Sequence, residues 1–308
     1  RKARRVQLPV QSNNKEKNME NLTAKISCFA RAYHYKTNER PIFGDSAAAA
    51  LLGGDYDVIA AHIAQGIQFF APGFTGSDDE ALKIAVDGQL SPSVLGRSAV
   101  AEQCLTNEAC LGCRQYVLFA AGYDTFALRA PVPGLRVYEL DQPGLIEDKK
   151  RRIERSGIEE KAAVEYVPCD LADAGWTTLL RGAGFKPEDK SFGSLLGLSY
   201  YLGSEAFRSL LRSISDLWSD GSAICFDYQT TDGSGETRRN EQLAGAAGES
   251  MKAKYIAAGM EKMLADCGFL IYEQFDGEEM TKRYFAPCRG DMRAPKGVNY
   301  VLAVKKRV

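Results

Sequence analysis

The feature that most constrains this chain is a change of rhythm near residue 116. From there short, continuous apolar runs alternate with amphipathic stretches: Tyr116–Ala120, Leu135–Leu140, Val164–Val167, Phe192–Leu198, Ala223–Tyr228, Phe269–Tyr272 and Tyr300–Val304 are the runs. Between them lie helical patterns over Gly144–Arg155, Thr177–Ala183, Ser204–Leu217 and Ala258–Cys267. Strands that are apolar on both faces and separated by helices predict a mostly parallel sheet covered on both sides. The expected fold class is therefore α/β, a doubly wound Rossmann-like sheet of seven strands. Ahead of it, residues 21–70 read as helical, with Ile26, Phe29, Ala30 and Tyr33 at three- and four-residue spacing, and Pro92–Leu111 reads as a further helix. The Gly-rich segment from Thr231 to Gly248 reads as a loop, within an insertion over 229–256.

Charge and cysteine content exclude several classes. Lys plus Arg number 39 against 40 Asp plus Glu, so the basic excess of a nucleic-acid binder is missing. No apolar run approaches membrane-spanning length, and eight cysteines in 308 residues are too sparse for a disulfide framework. A cytoplasmic setting with reduced thiols is the expectation. Cys110 and Cys113 form a CxxC without a second pair, and His34 and His62 are the only histidines, so no metal site is expected. Residues 1–18 hold six basic side chains and little apolar periodicity; they are expected to be a disordered leader to a single domain over 19–308.

Chemistry concentrates at three successive strand ends. The run ending at Ala120 continues as Ala121-Gly122-Tyr123-Asp124-Thr125, a small-residue turn that lets a ligand approach the backbone. As a dinucleotide fingerprint it is poor, since Ala120 and Thr125 stand where glycines are needed. The next strand ends in Glu139, Asp141 and Gln142; an acid there is placed to accept hydrogen bonds from two ribose hydroxyls. The third ends in Asp170 and Leu171, where a carboxylate can meet an adenine amino group. Each acid alone reads equally as a turn or helix cap, whereas three in succession point to an adenosine-binding crevice. Tyr200, Tyr201 and Tyr228, near the fourth and fifth strand ends, read either as core aromatics or as substrate-site aromatics whose faces can stabilise a sulfonium by cation–π attraction.

In this setting AAGYDT, YELDQP and VPCDL resemble the GAGxDT, xEVDxP and VPxDL series of the leucine carboxyl methyltransferase-like family, which uses S-adenosylmethionine. NLTA at 21–24, LGRSAVAEQCL at 95–105, SLLGLSYYL at 194–202, WSDGSAICFDY at 218–228 and MLADCGF at 263–269 extend the resemblance over about residues 20–308. It implies a reversed terminal hairpin in the sheet, an N-terminal helical lid over 20–75 and S-adenosylmethionine as cofactor. It further implies that Lys25 and Arg97 hold the methionine carboxylate, that Gly122 and Asp124 shape the loop beneath it, and that Glu139, Asp141, Asp170 and Leu171 contact adenosine. Two positions depart from the pattern. Ala120 replaces a glycine, tolerable where φ stays negative, and Leu196 replaces a glutamate that helps anchor the methionine part. The implied activity is O-methylation of a carboxylate or acidic hydroxyl on a small molecule. Alternatives are a protein C-terminal carboxyl methyltransferase and a cofactor-binding protein without catalysis. No general base is identifiable; His34 reads as a packing residue before a base.

Overall fold

A computed structural model describes residues 21–231, 235–246, 248, 250–288 and 291–306. The expected leader over 1–18 lies outside these residues. Seven strands form one sheet: β1 Gln115–Phe119, β2 Arg136–Asp141, β3 Ala163–Pro168, β4 Ser191–Leu195, β5 Ala223–Gln229, β6 Phe269–Phe275 and β7 Val298–Lys305. Their order is β3-β2-β1-β4-β5-β7-β6. β1 to β5 run parallel, and β7 is antiparallel to both β5 and β6. The doubly wound sheet and its reversed terminal hairpin are thus present.

The continuous apolar runs follow from burial on two faces. Every residue of β1, β4 and β5 is buried. Along β1, Val117 and Phe119 join one core with Trp176, Phe207 and Trp218, whereas Tyr116 and Leu118 join another with Val100, Leu105 and Phe126. That is the period-two alternation of a strand serving both layers. The helices that cover it are α1 Leu22–Thr37, α2 Asp55–Gln65, α3 Ser91–Cys110, α4 Pro143–Ser156, α5 Trp176–Gly182, α6 Ser204–Leu217, α7 Gly235–Ala246 and α8 Ala257–Asp266, with shorter turns between. In α6 the buried Phe207, Leu210, Leu211, Ile214 and Leu217 recur at helical spacing along one face.

Chain direction over the sheet reverses between β1 and β4, so a crevice opens at their carboxyl ends. Two expectations need correction. β4 stops at Leu195 rather than Leu198, because Gly197 turns left-handed with φ 66° and breaks the extended run. The stretch read as a loop from Thr231 contains helix α7, whose helix formers the glycines had masked. Residues Lys83–Leu90, preceding α3 and given no reading from the sequence, form a π-helix. Among the described residues no helix is long and apolar enough to cross a membrane.

Candidate functional site

The turn after β1 is built from left-handed backbone. Ala120 has φ 53° and Gly122 φ 55°, and the Ala121 amide donates to the Leu140 carbonyl at 3.1 Å. The condition set for Ala120 in the sequence is therefore not met. It occupies the conformation that a glycine takes freely and that costs an L-residue about 1–2 kcal/mol. Asp141 locks the turn from the neighbouring strand. Its Oδ2 accepts from the Gly122 amide and its Oδ1 from the Gln142 amide, each at 2.7 Å. Burial pushes the Asp141 carboxyl up, and these two amides oppose it. Asp124 accepts from the Phe126 amide at 2.7 Å and holds the turn's far side.

A second set of charges lies beyond β4. Arg97, on α3, donates from Nη1 to the Tyr200 hydroxyl at 3.0 Å and from Nη2 to Ser27 Oγ of α1 at 3.3 Å. Its guanidinium lies flat against Gly197, where a Cβ would come within 2.9 Å of it. Glycine is required at 197 on two counts, space and φ. Behind them stands Asp227 of β5, fully buried. Asp227 Oδ1 accepts from the Gly197 amide at 2.6 Å, and Oδ2 lies 3.3 Å from the Tyr200 hydroxyl and 3.8 Å from Arg97. Burial pushes the Asp227 carboxyl up, and Arg97 opposes it. Burial also holds the Tyr200 phenol well above its usual range, so it stays neutral.

Both sets face one cavity of about 820 Å³, a size typical of small-molecule sites. Four helices roof it, each with one face: Thr23, Ile26 and Ser27 from α1, Ile59, His62 and Ile63 from α2, Val94, Arg97 and Ser98 from α3, and Asn240, Leu243 and Ala244 from α7. A buried ion-pair network ties this roof to the turn. Arg31 of α1 donates to Asp45 and to the Tyr123 carbonyl, both at 2.7 Å, and Thr125 donates to the same Asp45 at 2.7 Å. Arg129 pairs with Asp45 and Glu102. The carboxyl of Asp45 is held below its usual range by Arg31 and Arg129, against the opposing effect of burial.

Of the residues singled out in the sequence, Arg97, Ala120, Gly122, Asp124, Asp141, Gln142, Leu196, Tyr200 and Tyr201 line this cavity. Five do not. Lys25 pairs with Asp55 at 3.2 Å. Glu139 is buried against Lys149, which binds its carboxylate and leaves it turned away from the opening. Asp170 is exposed and accepts from the Ala172 amide at 2.9 Å, the local capping alternative, with Leu171 packed against the core beside it. Tyr228 is a core aromatic, its hydroxyl receiving the Asn299 side-chain amide at 3.0 Å. His34 is buried; its Nε2 accepts from the Ile42 amide at 2.9 Å and desolvation lowers it to about 4. His62, the histidine given no role, is the one in the wall. Sequence reasoning also passed over Gly197, Asp227, Arg31 and Asp45. For Gly197 and Asp227 a signal existed, since both lie within segments that carry the resemblance; for the Arg31–Asp45 pair there was none.

A profile of the leucine carboxyl methyltransferase family matches residues 24–215. YktD of Bacillus subtilis, named for S-adenosyl-L-methionine-dependent methyl transfer, is 34% identical over 303 residues, which cover 94% of this chain and 99% of its own. A Mycobacterium marinum protein named in the same way is 32% identical over 223 residues, covering 72% and 70%. Among solved structures, a Thermobifida fusca protein described as a methyltransferase superposes with a TM-score of 0.61 at 14% identity, covering 97% of this chain and all of its own. A DUF574 family protein of Streptomyces avermitilis gives 0.59 at 15% identity, covering 92% and 97%. At those identities the likeness is one of fold.

Proposed function

The chain belongs to the leucine carboxyl methyltransferase family, and from that premise we propose that it methylates an oxygen, a carboxylate or an acidic hydroxyl, on a small molecule. It is an S-adenosylmethionine-dependent methyltransferase. The observation that supports this reading is the single cavity of about 820 Å³, of a size for small molecules, with a carboxylate at one end and a guanidinium at the other to hold the cofactor.

The residues fit an adenosyl amino acid. Asp141 keeps lone pairs for a ribose diol after serving two backbone amides. The glycine at 122 leaves the turn open, since among the described residues the only atom within 4 Å of a Cβ there is Ala24 Cβ at 3.5 Å. Arg97 offers a planar fork suited to a carboxylate, positioned by Tyr200 and Asp227. Leu196 contributes an apolar surface where relatives place an acid, so an ammonium group there relies on backbone carbonyls of the 120–122 turn.

Bound S-adenosylmethionine supplies a methyl group already activated by its sulfonium. What the chain must do is hold an acceptor oxygen in line and keep water out. The neutral Tyr200 phenol and its neighbour Tyr201 present aromatic surface beside Arg97, with ring centroids 5.1 Å apart. The four roofing helices cover part of the cavity, and we assign the 20–75 segment the part of a lid tied down through Arg31 and Asp45. Calorimetric titration with S-adenosylmethionine, S-adenosylhomocysteine and NAD tests this reading. The first two should bind and NAD should not; binding of NAD alone would overturn the site assignment.

A further inference from the structure

We infer that this chain holds its cofactor's amino-acid part by the carboxylate alone and leaves the ammonium unread, so that the site also takes adenosyl thioethers that carry a carboxylate and no amino group. The inference rests on the methyltransferase reading and sharpens which groups of that cofactor are recognised. Charge on the cavity wall is uneven. At the β4–β5 end, among the described residues, the charged side chain in the wall is Arg97, with Ser27, Leu196, Gly197, Tyr200 and Tyr201 around it. One of its N–H groups serves Tyr200 and one Ser27, and a guanidinium has five. Donors therefore remain for a carboxylate, which a charge-assisted pair holds well.

An ammonium in the same place has no carboxylate to pair with. Among the described residues Asp124 and Asp141 are the acids in the wall. Asp141, at the opposite end, accepts two backbone amides. Asp124 accepts the Phe126 amide at 2.7 Å, and its charge acts on Arg31 and Arg129. Asp227 is fully buried behind Arg97, with its oxygens on the Gly197 amide and the Tyr200 hydroxyl. Leu196 has no acceptor to offer. The carbonyls of the 120–122 turn are neutral, and that of Ala121 already takes the Asp124 amide at 2.9 Å. A hydrogen bond to such a carbonyl replaces one to water for a modest net gain. The guanidinium nearby repels the ammonium and offsets that gain.

Calorimetric titration of the full chain at pH 7 with three thioethers tests the inference. They are S-adenosylhomocysteine, its analogue without the amino group, 4-(5′-adenosylthio)butanoate, and its analogue without the carboxylate, 5′-S-(3-aminopropyl)-5′-thioadenosine. The butanoate should bind within threefold of S-adenosylhomocysteine, and the aminopropyl compound at least tenfold more weakly. In Leu196→Glu, S-adenosylhomocysteine should outbind the butanoate at least fivefold, because the new carboxylate pairs with the ammonium and repels a ligand that lacks one. A wild-type loss of more than threefold on removing the amino group would overturn the inference, as would a loss of less than tenfold on removing the carboxylate. This comparison decides whether or not Leu196→Glu folds. A folded Leu196→Glu that binds the two acids alike would also overturn the inference, since the ammonium would then lie elsewhere. Failure of all three thioethers to bind the wild-type chain would strike the cofactor reading itself, and the inference with it.

Discussion

The two ends of the cavity are built by different means. At the β1–β2 end a carboxylate and a turn lie 19 residues apart, and Asp141 is fixed by the Gly122 amide from the neighbouring strand's turn and by the adjacent Gln142 amide. At the β4–β5 end Arg97, Gly197, Tyr200 and Asp227 come from one helix, one turn and one strand, and contacts between side chains, with the Gly197 amide, do the holding. The first end is an anion kept in place by the main chain; the second is a cation kept in place by a buried anion. Backbone-held charges should survive substitution of neighbours, whereas a buried side-chain pair fails when either partner goes.

Arg97→Ala is the severest way to break the second end. It leaves Asp227 buried without its cation, so stability should fall by about 3 kcal/mol or more in denaturant unfolding. A loss under 1 kcal/mol would mean that Asp227 is carried by the Gly197 amide alone, and that the two ends are built alike.

His34 sharpens the comparison from outside the cavity, as a buried polar group on α1 that is held neutral. Its folded value, lowered to about 4 from an ordinary 6.5, makes the unfolded chain bind the proton first. Stability from this group is therefore present above pH 6.5 and is lost as pH falls toward 4, by up to roughly 3 kcal/mol. His34→Gln should flatten that stretch of the stability profile; an unaltered profile would assign acid sensitivity to the Arg31–Asp45 network instead.

The smallest effect belongs to the turn itself. Ala120→Gly relieves a left-handed alanine but adds freedom to the unfolded chain, for a net gain of about 0.5 kcal/mol. A loss of stability would show that the methyl group packs against the core more than the backbone strains.

The same division governs how far the sequence could be read. The sheet end was legible because its residues are contiguous in short motifs at strand ends, where topology fixes position. Asp141 and Gly122 could be paired on that basis alone. Glu139 shows the limit: two residues earlier on the same strand, it meets Lys149 of α4, and nothing local announces which acid faces the opening. The helical end depends on packing between segments more than 100 residues apart, such as Arg97 with Tyr200, and on a glycine whose need is visible only beside the guanidinium. For Tyr228, a strand with both faces buried offered no period to separate core from cavity.

The central claim is that one end of the cavity receives adenosine and the other the amino-acid part of the same cofactor. Calorimetric titration of S-adenosylhomocysteine and of 5′-methylthioadenosine, which lacks the amino-acid part, into Asp141→Ala and Arg97→Lys tests it directly. Asp141→Ala should weaken both ligands by about tenfold to a hundredfold, as expected for lost hydrogen bonds to a charged group. Arg97→Lys keeps a charge beside Asp227 but loses the fork; it should weaken S-adenosylhomocysteine and leave 5′-methylthioadenosine unchanged. Equal losses for both ligands in Arg97→Lys, or no loss in Asp141→Ala, would contradict the division of the site.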